Sequence, residues 1–114
     1  MMNRKNYLTW LQIAIQESHG CSAIHRETFF VYEAFSGDIV WEGEVEVFEI
    51  TGHPAAKRCF GWLQGKGIDD QGERFVTILE IPPVVSPETA VRTSIVSNSK
   101  NSESSTKFAA YAQH

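Results

Sequence analysis

The chain has 114 residues, of which 42% are hydrophobic, 21% charged and 11% aromatic, a composition typical of one ordinary globular domain. Lys and Arg number 10 against 14 Asp and Glu, and the formal net charge is -4. This balance argues against a nucleic-acid partner, because phosphate contacts need clustered cations. The N-terminal apolar stretch is interrupted by Thr9, Gln12 and Gln16, which argues against a signal-peptide core or a membrane span there. We therefore expect a cytoplasmic protein without a nucleic-acid or membrane partner.

An amphipathic first helix is predicted over residues 6–18. Apolar side chains recur there at helical spacing, and Gly20 is placed to end the helix. The next two segments, residues 27–35 and 39–50, are rich in β-branched and aromatic residues and alternate in polarity. We predict that they form a β-hairpin closed by a tight turn at residues 36–38.

The second half of the chain is predicted to complete the sheet. Residues 54–64 fit either a helix or a third strand, and the poor helix formers at residues 59–62 favour the strand. A polar loop at residues 65–72 then leads into a fourth strand over residues 74–81.

A second helix and a polar tail are predicted after the sheet. Two prolines at residues 82–83 end the last strand, Ser86 is placed as a helix N-cap, and Pro87 fits the first helical turn. The tail, residues 97–114, opens on a run rich in Ser, Asn and Lys and is predicted to be disordered. Residues 1–96 are thus expected to form a single α+β domain, a four-stranded antiparallel β-meander flanked by an N-terminal and a C-terminal helix.

The two faces of the predicted sheet are unequal. A turn at residues 37–38 places Tyr32 opposite Gly43 and, on the other face, Glu33 opposite Glu42, where like charges repel. The first face is the expected core, formed by Phe30, Tyr32, Ala34, Trp41, Gly43, Val45, Val47, Phe60 and Trp62. The second face mixes apolar and acidic residues, namely Phe29, Val31, Phe35, Phe48 and Leu63 with Glu33, Glu42, Glu44 and Glu46.

A short pattern in the middle of the chain resembles one found in small uncharacterised bacterial proteins. Residues 41–48 read WEGEVEVF, and residues 52–55 read GHPA. The resemblance covers roughly the middle half of the chain. It implies a strand–turn–strand arrangement and a bacterial cytoplasmic setting, and it assigns no activity and no catalytic residue.

Four residues with soft metal-ligating atoms, Cys21, His25, His53 and Cys59, could in principle hold a tetrahedral zinc ion. Their spacing is not that of a zinc finger, and a turn and a strand explain His53 and Cys59 without a metal. We therefore expect no metal and no other cofactor. Two cysteines are too few for a disulfide framework, so we expect both to be reduced.

The glutamates Glu33, Glu42, Glu44 and Glu46 could bind a hard cation or a basic partner, or supply the acid and base of a hydrolase. Glutamates that alternate along one strand are, however, more typical of a solvated strand face. No nucleophile elbow, phosphate loop or dinucleotide motif accompanies them.

An interaction module is therefore the leading interpretation. Phe29, Val31 and Phe48, set among the acids of the second face, predict a surface that binds a protein partner or a second copy of the chain. The alternative is a small enzyme, or a ligand- or cation-binding protein, that uses the sheet glutamates or His25.

Overall fold

The computed structural model describes residues 3–64 and 74–96, and their elements have the predicted order. These elements are α1 (Arg4–His19), β1 (Ser22–Phe35), β2 (Asp38–Thr51), β3 (Arg58–Gln64), β4 (Arg74–Leu79) and a second helix, α2, over residues 87–96. The strands form one antiparallel sheet in the order β1-β2-β3-β4. The predicted α+β meander with a helix at each end is therefore confirmed, as is the strand within residues 54–64. The predicted loop at residues 65–72 and the tail at residues 97–114 lie outside the described residues. On either side of that loop, β3 ends at residue 64 and β4 begins at residue 74.

Helix α1 begins and ends, and α2 begins, where the sequence supplies caps. The Asn3 side chain accepts a hydrogen bond from the Asn6 N–H at 2.9 Å, and Gly20, in the left-handed conformation at φ 71°, donates its N–H to Gln16. At the start of α2, the Ser86 hydroxyl accepts from the Thr89 N–H at 3.2 Å. These contacts satisfy backbone groups that a helix end leaves without partners.

Helix α1 covers one face of the sheet. Leu11 and Ile15 are fully buried there against Phe48 and Cys59. The helix lies so close to β3 that a Cβ atom at Gly61 would be 3.0 Å from the Leu11 side chain. Only glycine permits this separation without movement of the Leu11 side chain or the helix.

Helix α2 covers the opposite face. Its Ala90 and Val91 are fully buried in a cluster of sheet residues that comprises Val31, Val45, Val47, Phe60 and Trp62. Because a helix lies on each face, four consecutive β2 residues, 45–48, are buried. Among the residues that the structure describes, no helix is long and apolar enough to cross a membrane.

The register of the first hairpin differs from the prediction. The turn consists of Ser36 and Gly37, both with positive φ (53° and 85°), and Phe35 pairs with Asp38. An irregularity between Glu33 and Ala34 then adds one residue to β2, so that the pairing slips by one. A slip of one residue turns every side chain of a strand to the other face.

This bulge reverses the predicted faces of β1 and leaves those of β2 and β3 as predicted. Phe30, Tyr32 and Ala34 are exposed on the α1 side instead of buried. Val31 lies opposite Gly43 within the α2-side core, and Glu33 lies opposite Trp41 rather than Glu42. The predicted Glu33–Glu42 repulsion is therefore wrong, because the two side chains are on different faces.

The first hairpin extends beyond the other two strands. The β2–β3 ladder pairs Glu46–Glu49 with Arg58–Gly61, so that residues 38–45 have no ladder partner in β3. We call residues 28–35 and 38–45 the hairpin arm. Where β3 diverges from it, the Leu63 N–H donates to the Tyr7 hydroxyl at 3.2 Å, which replaces a missing ladder bond.

Candidate binding face and the polar cluster beside it

The α1 side of the hairpin arm exposes two aromatic rings next to two carboxylates. Phe30 lies opposite Glu44, and Tyr32 lies opposite Glu42. Phe30 is 63% exposed and Tyr32 is 56% exposed, because α1 begins at Arg4 and does not extend over this part of the arm. We call these four residues the acidic–aromatic face.

The α2 side of the arm is largely covered. Val31 is buried against α2, and the Glu33 carboxylate accepts a hydrogen bond from Arg92 of α2 at 2.9 Å. Phe29, on the same side, is only partly covered. Of the predicted partner-binding residues, Val31 and Phe48 thus lie in the core of the chain, whereas Glu42 and Glu44 lie on its surface.

Glu46, the fourth predicted glutamate, is completely buried beside the acidic–aromatic face. Its carboxylate is held by Arg4, the first residue of α1, which donates from Nη1 to Oε2 at 2.8 Å and from Nη2 to Oε1 at 3.0 Å. The hydrogen bond to Glu46 raises the pKa of the Arg4 guanidinium. A buried carboxylate needs such a bidentate cation because burial alone disfavours its charge.

Two further donors reach Glu46 because of a second bulge in β1. The register changes between His25 and Glu27, which turns both His25 and Thr28 toward the same carboxylate. His25 Nε2 lies 2.8 Å and the Thr28 hydroxyl 2.6 Å from Glu46 Oε1. Since an ionised carboxylate only accepts hydrogen bonds, both groups donate to it. Both oxygens of the buried carboxylate thus have hydrogen-bond partners within this cluster, which is typical of a structural network.

An open cleft of about 430 Å³ lies where β2 and β3 diverge. Its lining residues are Tyr7, Trp41, Glu42, Gly43, Glu44, Trp62, Leu63 and Gln64. The rings of Trp41 and Trp62 meet edge to face at 5.6 Å, and both indole N–H groups point to the Gln64 side-chain oxygen, at 3.4 and 3.2 Å. The Trp41 ring covers Gly43, since a Cβ atom added at this glycine would lie 3.2 Å from that ring.

The four sulfur- and imidazole-bearing residues do not form a metal site. Within residues 3–64 and 74–96 no group of three or more His, Cys, Asp or Glu side chains could hold an ion. Cys21 and Cys59 are buried free thiols, and burial, assisted by the nearby Cys21, raises the pKa of Cys59 to about 12. His53 accepts at Nδ1 from the Ala55 and Ala56 N–H groups, which makes it a turn residue.

Several residues that build this region carry no recognisable signal in the sequence. Arg4 is 42 positions from Glu46, and no local pattern connects the two. In the sequence, Thr28 looks like an ordinary strand residue, and only the bulge in β1 directs its side chain toward Glu46. Phe30 and Tyr32 were predicted in the core, and only the bulge in β2 places them on the surface.

Comparison with protein-family models, curated proteins and solved structures finds no match for this chain. The resemblance to small bacterial proteins carried by residues 41–55 stays a prediction. The geometry of the hairpin arm is therefore the basis for any assignment of function.

Proposed function

We propose that the chain is a non-enzymatic protein-interaction module that binds its partner through the acidic–aromatic face of the hairpin arm. The observation that carries this proposal is the exposure of Phe30 and Tyr32. The two residues are two positions apart in β1, so their side chains are neighbours on the same face of the strand. Leaving large apolar rings in water forgoes about 25 cal/mol for each Å² that burial would remove. Adjacent exposed rings on a rigid sheet are typical of a protein-binding surface.

More exposed apolar residues lie at the end of the arm. Phe35, Ile39 and Val40 are each about half exposed or more, and they adjoin the turn at Ser36 and Gly37. A two-stranded hairpin is marginally stable when its side chains face water on one side. Contact with another protein would bury these side chains and stabilise the arm.

The proposed setting is the bacterial cytoplasm, without a nucleic-acid or membrane partner and without a cofactor. Two free cysteines support a reducing compartment, and the net charge of -4 opposes attraction to nucleic acids or anionic lipids. The partner is accordingly a protein, either another chain or a second copy of this one.

A ligand-binding role is the second candidate, favoured by the cleft between β2 and β3. Its two indole rings and the Gln64 amide could hold a small planar molecule by stacking and hydrogen bonding. Such binding would change the fluorescence of Trp41 and Trp62. A screen that leaves the fluorescence of the protein unchanged would count against this role without affecting the interaction proposal.

Site-specific photocrosslinking tests the interaction proposal. Phe30 is replaced by the photoreactive amino acid p-benzoylphenylalanine, and the protein is irradiated in the cells that produce it. We expect adducts of defined mass from position 30. Trp10, an exposed aromatic residue of α1, is replaced in the same way as the matched control. No adduct from position 30, or the same adducts from position 10, would contradict the proposal.

A further inference from the structure

The hairpin arm belongs to a strongly acidic part of the chain. Residues 27–56 contain seven Asp and Glu and no Lys or Arg. Among the described residues, three of these acids are paired with arginines from other segments: Glu33, Glu46 and Glu49. Glu44 lies 3.9 Å from Arg4, which already binds Glu46, and no cation within the described ranges lies within 4 Å of the Glu42 carboxylate. The acidic–aromatic face therefore presents negative charge that the described residues neutralise only in part.

The arm also includes the edge strand of the sheet. β1 is the first strand of the sheet, so its outer backbone N–H and C=O groups have no strand partner among residues 3–64 and 74–96. Protein edges are normally blunted by lysine, proline or bulges. Between its two irregularities β1 runs from Glu27 to Glu33 with neither lysine, proline nor glycine.

We propose that the partner is an extended basic segment of another protein, which adds to β1 as a fifth antiparallel strand. This inference rests on the proposed interaction function and names its partner class. Backbone hydrogen bonds to the β1 edge would supply affinity, and alternate side chains of the segment would supply specificity.

The spacing of a β-sheet matches lysine or arginine to this face. Neighbouring strands lie about 4.8 Å apart, so an added strand lies about 10 Å from β2. A lysine or arginine side chain on that strand crosses the ring of Phe30 or Tyr32, and its cation meets Glu44 or Glu42 on the far side. The rings then contribute cation–π attraction as well as apolar contact.

Charge complementarity favours this partner over a second copy of the chain. Antiparallel pairing of β1 with the β1 strand of a second copy would place two acidic arms side by side. In each arm, the charges of Glu42 and Glu44 are not fully neutralised. Like charges at such separations repel. A basic segment removes that repulsion and gains attraction.

A peptide titration tests the inference directly. The probe is a synthetic ten-residue peptide that alternates lysine and valine, added to the full chain at low ionic strength and followed by isothermal calorimetry. We expect saturable binding that weakens with added salt and protection of the β1 amides from hydrogen exchange. The double variant Glu42→Gln, Glu44→Gln should weaken binding by about tenfold.

Matched controls separate this face from general charge attraction. The double variant Glu17→Gln, Glu88→Gln removes the same charge from exposed positions on α1 and α2, and we expect it to bind the peptide like the original chain. A peptide alternating glutamate and valine should not bind. Equal binding by both double variants, or no binding at millimolar peptide, would overturn the inference.

Failure here is distinguishable from failure of the proposed function. Crosslinks from position 30 to a protein whose contact segment is not basic, or a crosslinked product of twice the chain mass, would refute the basic segment and leave the binding face intact. Absence of any crosslink from position 30 would refute both.

Discussion

At the scale of single residues, the buried carboxylate of Glu46 joins three separate segments of the chain. Arg4 reaches it from the start of α1, and His25 and Thr28 reach it from β1. Removing a charge from water is compensated only when the partners are complete. The cluster thus fixes the start of α1 relative to the first hairpin, at the border of the acidic–aromatic face.

Replacing Glu46 by glutamine tests this role. Glutamine keeps the size of the side chain but lacks the negative charge to which Arg4, His25 and Thr28 all donate hydrogen bonds. Because Arg4 is half exposed and regains water, we expect a loss of about 2 kcal/mol in the free energy of unfolding, below the range for a fully buried pair. Urea denaturation measures it.

The matched control is Glu44→Gln, since Glu44 is an exposed neighbour with only a 3.9 Å contact to Arg4. It should change the free energy of unfolding by less than about 0.5 kcal/mol. Equal effects of the two substitutions would show that the buried carboxylate contributes no more than a surface charge.

At the scale of secondary structure, the approach of α1 to β3 depends on one missing side chain. The Leu11 side chain occupies the space that a Cβ of Gly61 would need. Leu11 is itself fully buried, so the two positions share one packing constraint. Small-to-large changes in such contacts force side chains or backbone to shift.

The substitution Gly61→Ala should therefore destabilise the chain by about 1–3 kcal/mol through overpacking. Leu11→Ala alone should cost about 2–5 kcal/mol because it leaves a cavity. The double variant should cost less than the two single losses combined, by about 1 kcal/mol, because the added methyl enters that cavity. Strict additivity in a thermal or urea double-mutant cycle would contradict direct contact between the helix and β3.

Secondary structure was predictable wherever local chemistry determines it. Gly20 ends α1 and Ser86 begins α2 because caps act within a few residues. The faces of β1 were not predictable, because Phe29 and Val31 are as apolar as Phe30 and Tyr32. Only the bulge decides between these pairs, and no residue type marks it.

The same limit applies to the candidate site. The alternating glutamates of β2 were recognised from the sequence, and Glu42 and Glu44 are on the surface. Burial of Glu46 was not foreseen, because it depends on Arg4, which is remote in the chain, and on the second bulge of β1. Long-range ion pairs leave no periodic signal in a sequence.

At the scale of the whole molecule, the described residues form a base and an extension. The base has a helix on each side of the sheet and contains most of the buried residues, although Val31 and Val45 of the α2-side cluster belong to the arm. The hairpin arm has α2 on one side and an open face on the other. Local stability should follow this division, because regions with fewer buried contacts open more easily.

Amide hydrogen exchange should reveal two levels of protection in the uncomplexed chain. We expect the hydrogen-bonded amides of residues 29–33 and 39–43 to exchange through openings of lower free energy than those of residues 46–48 and 59–62. Exchange followed by NMR across a range of low denaturant concentrations measures both groups. Identical opening free energies in the two groups would show that the arm unfolds only together with the base.

The tight turn at the end of the arm has a practical consequence. A Cβ atom added at Gly37 would meet nothing within 4 Å, and neither cluster of buried residues includes Ser36 or Gly37. A fluorophore attached through a cysteine at position 36 would therefore tumble with the hairpin without touching the base. The fluorescence anisotropy of this label would rise when a partner immobilises the arm. A label at the turn would therefore report complex formation.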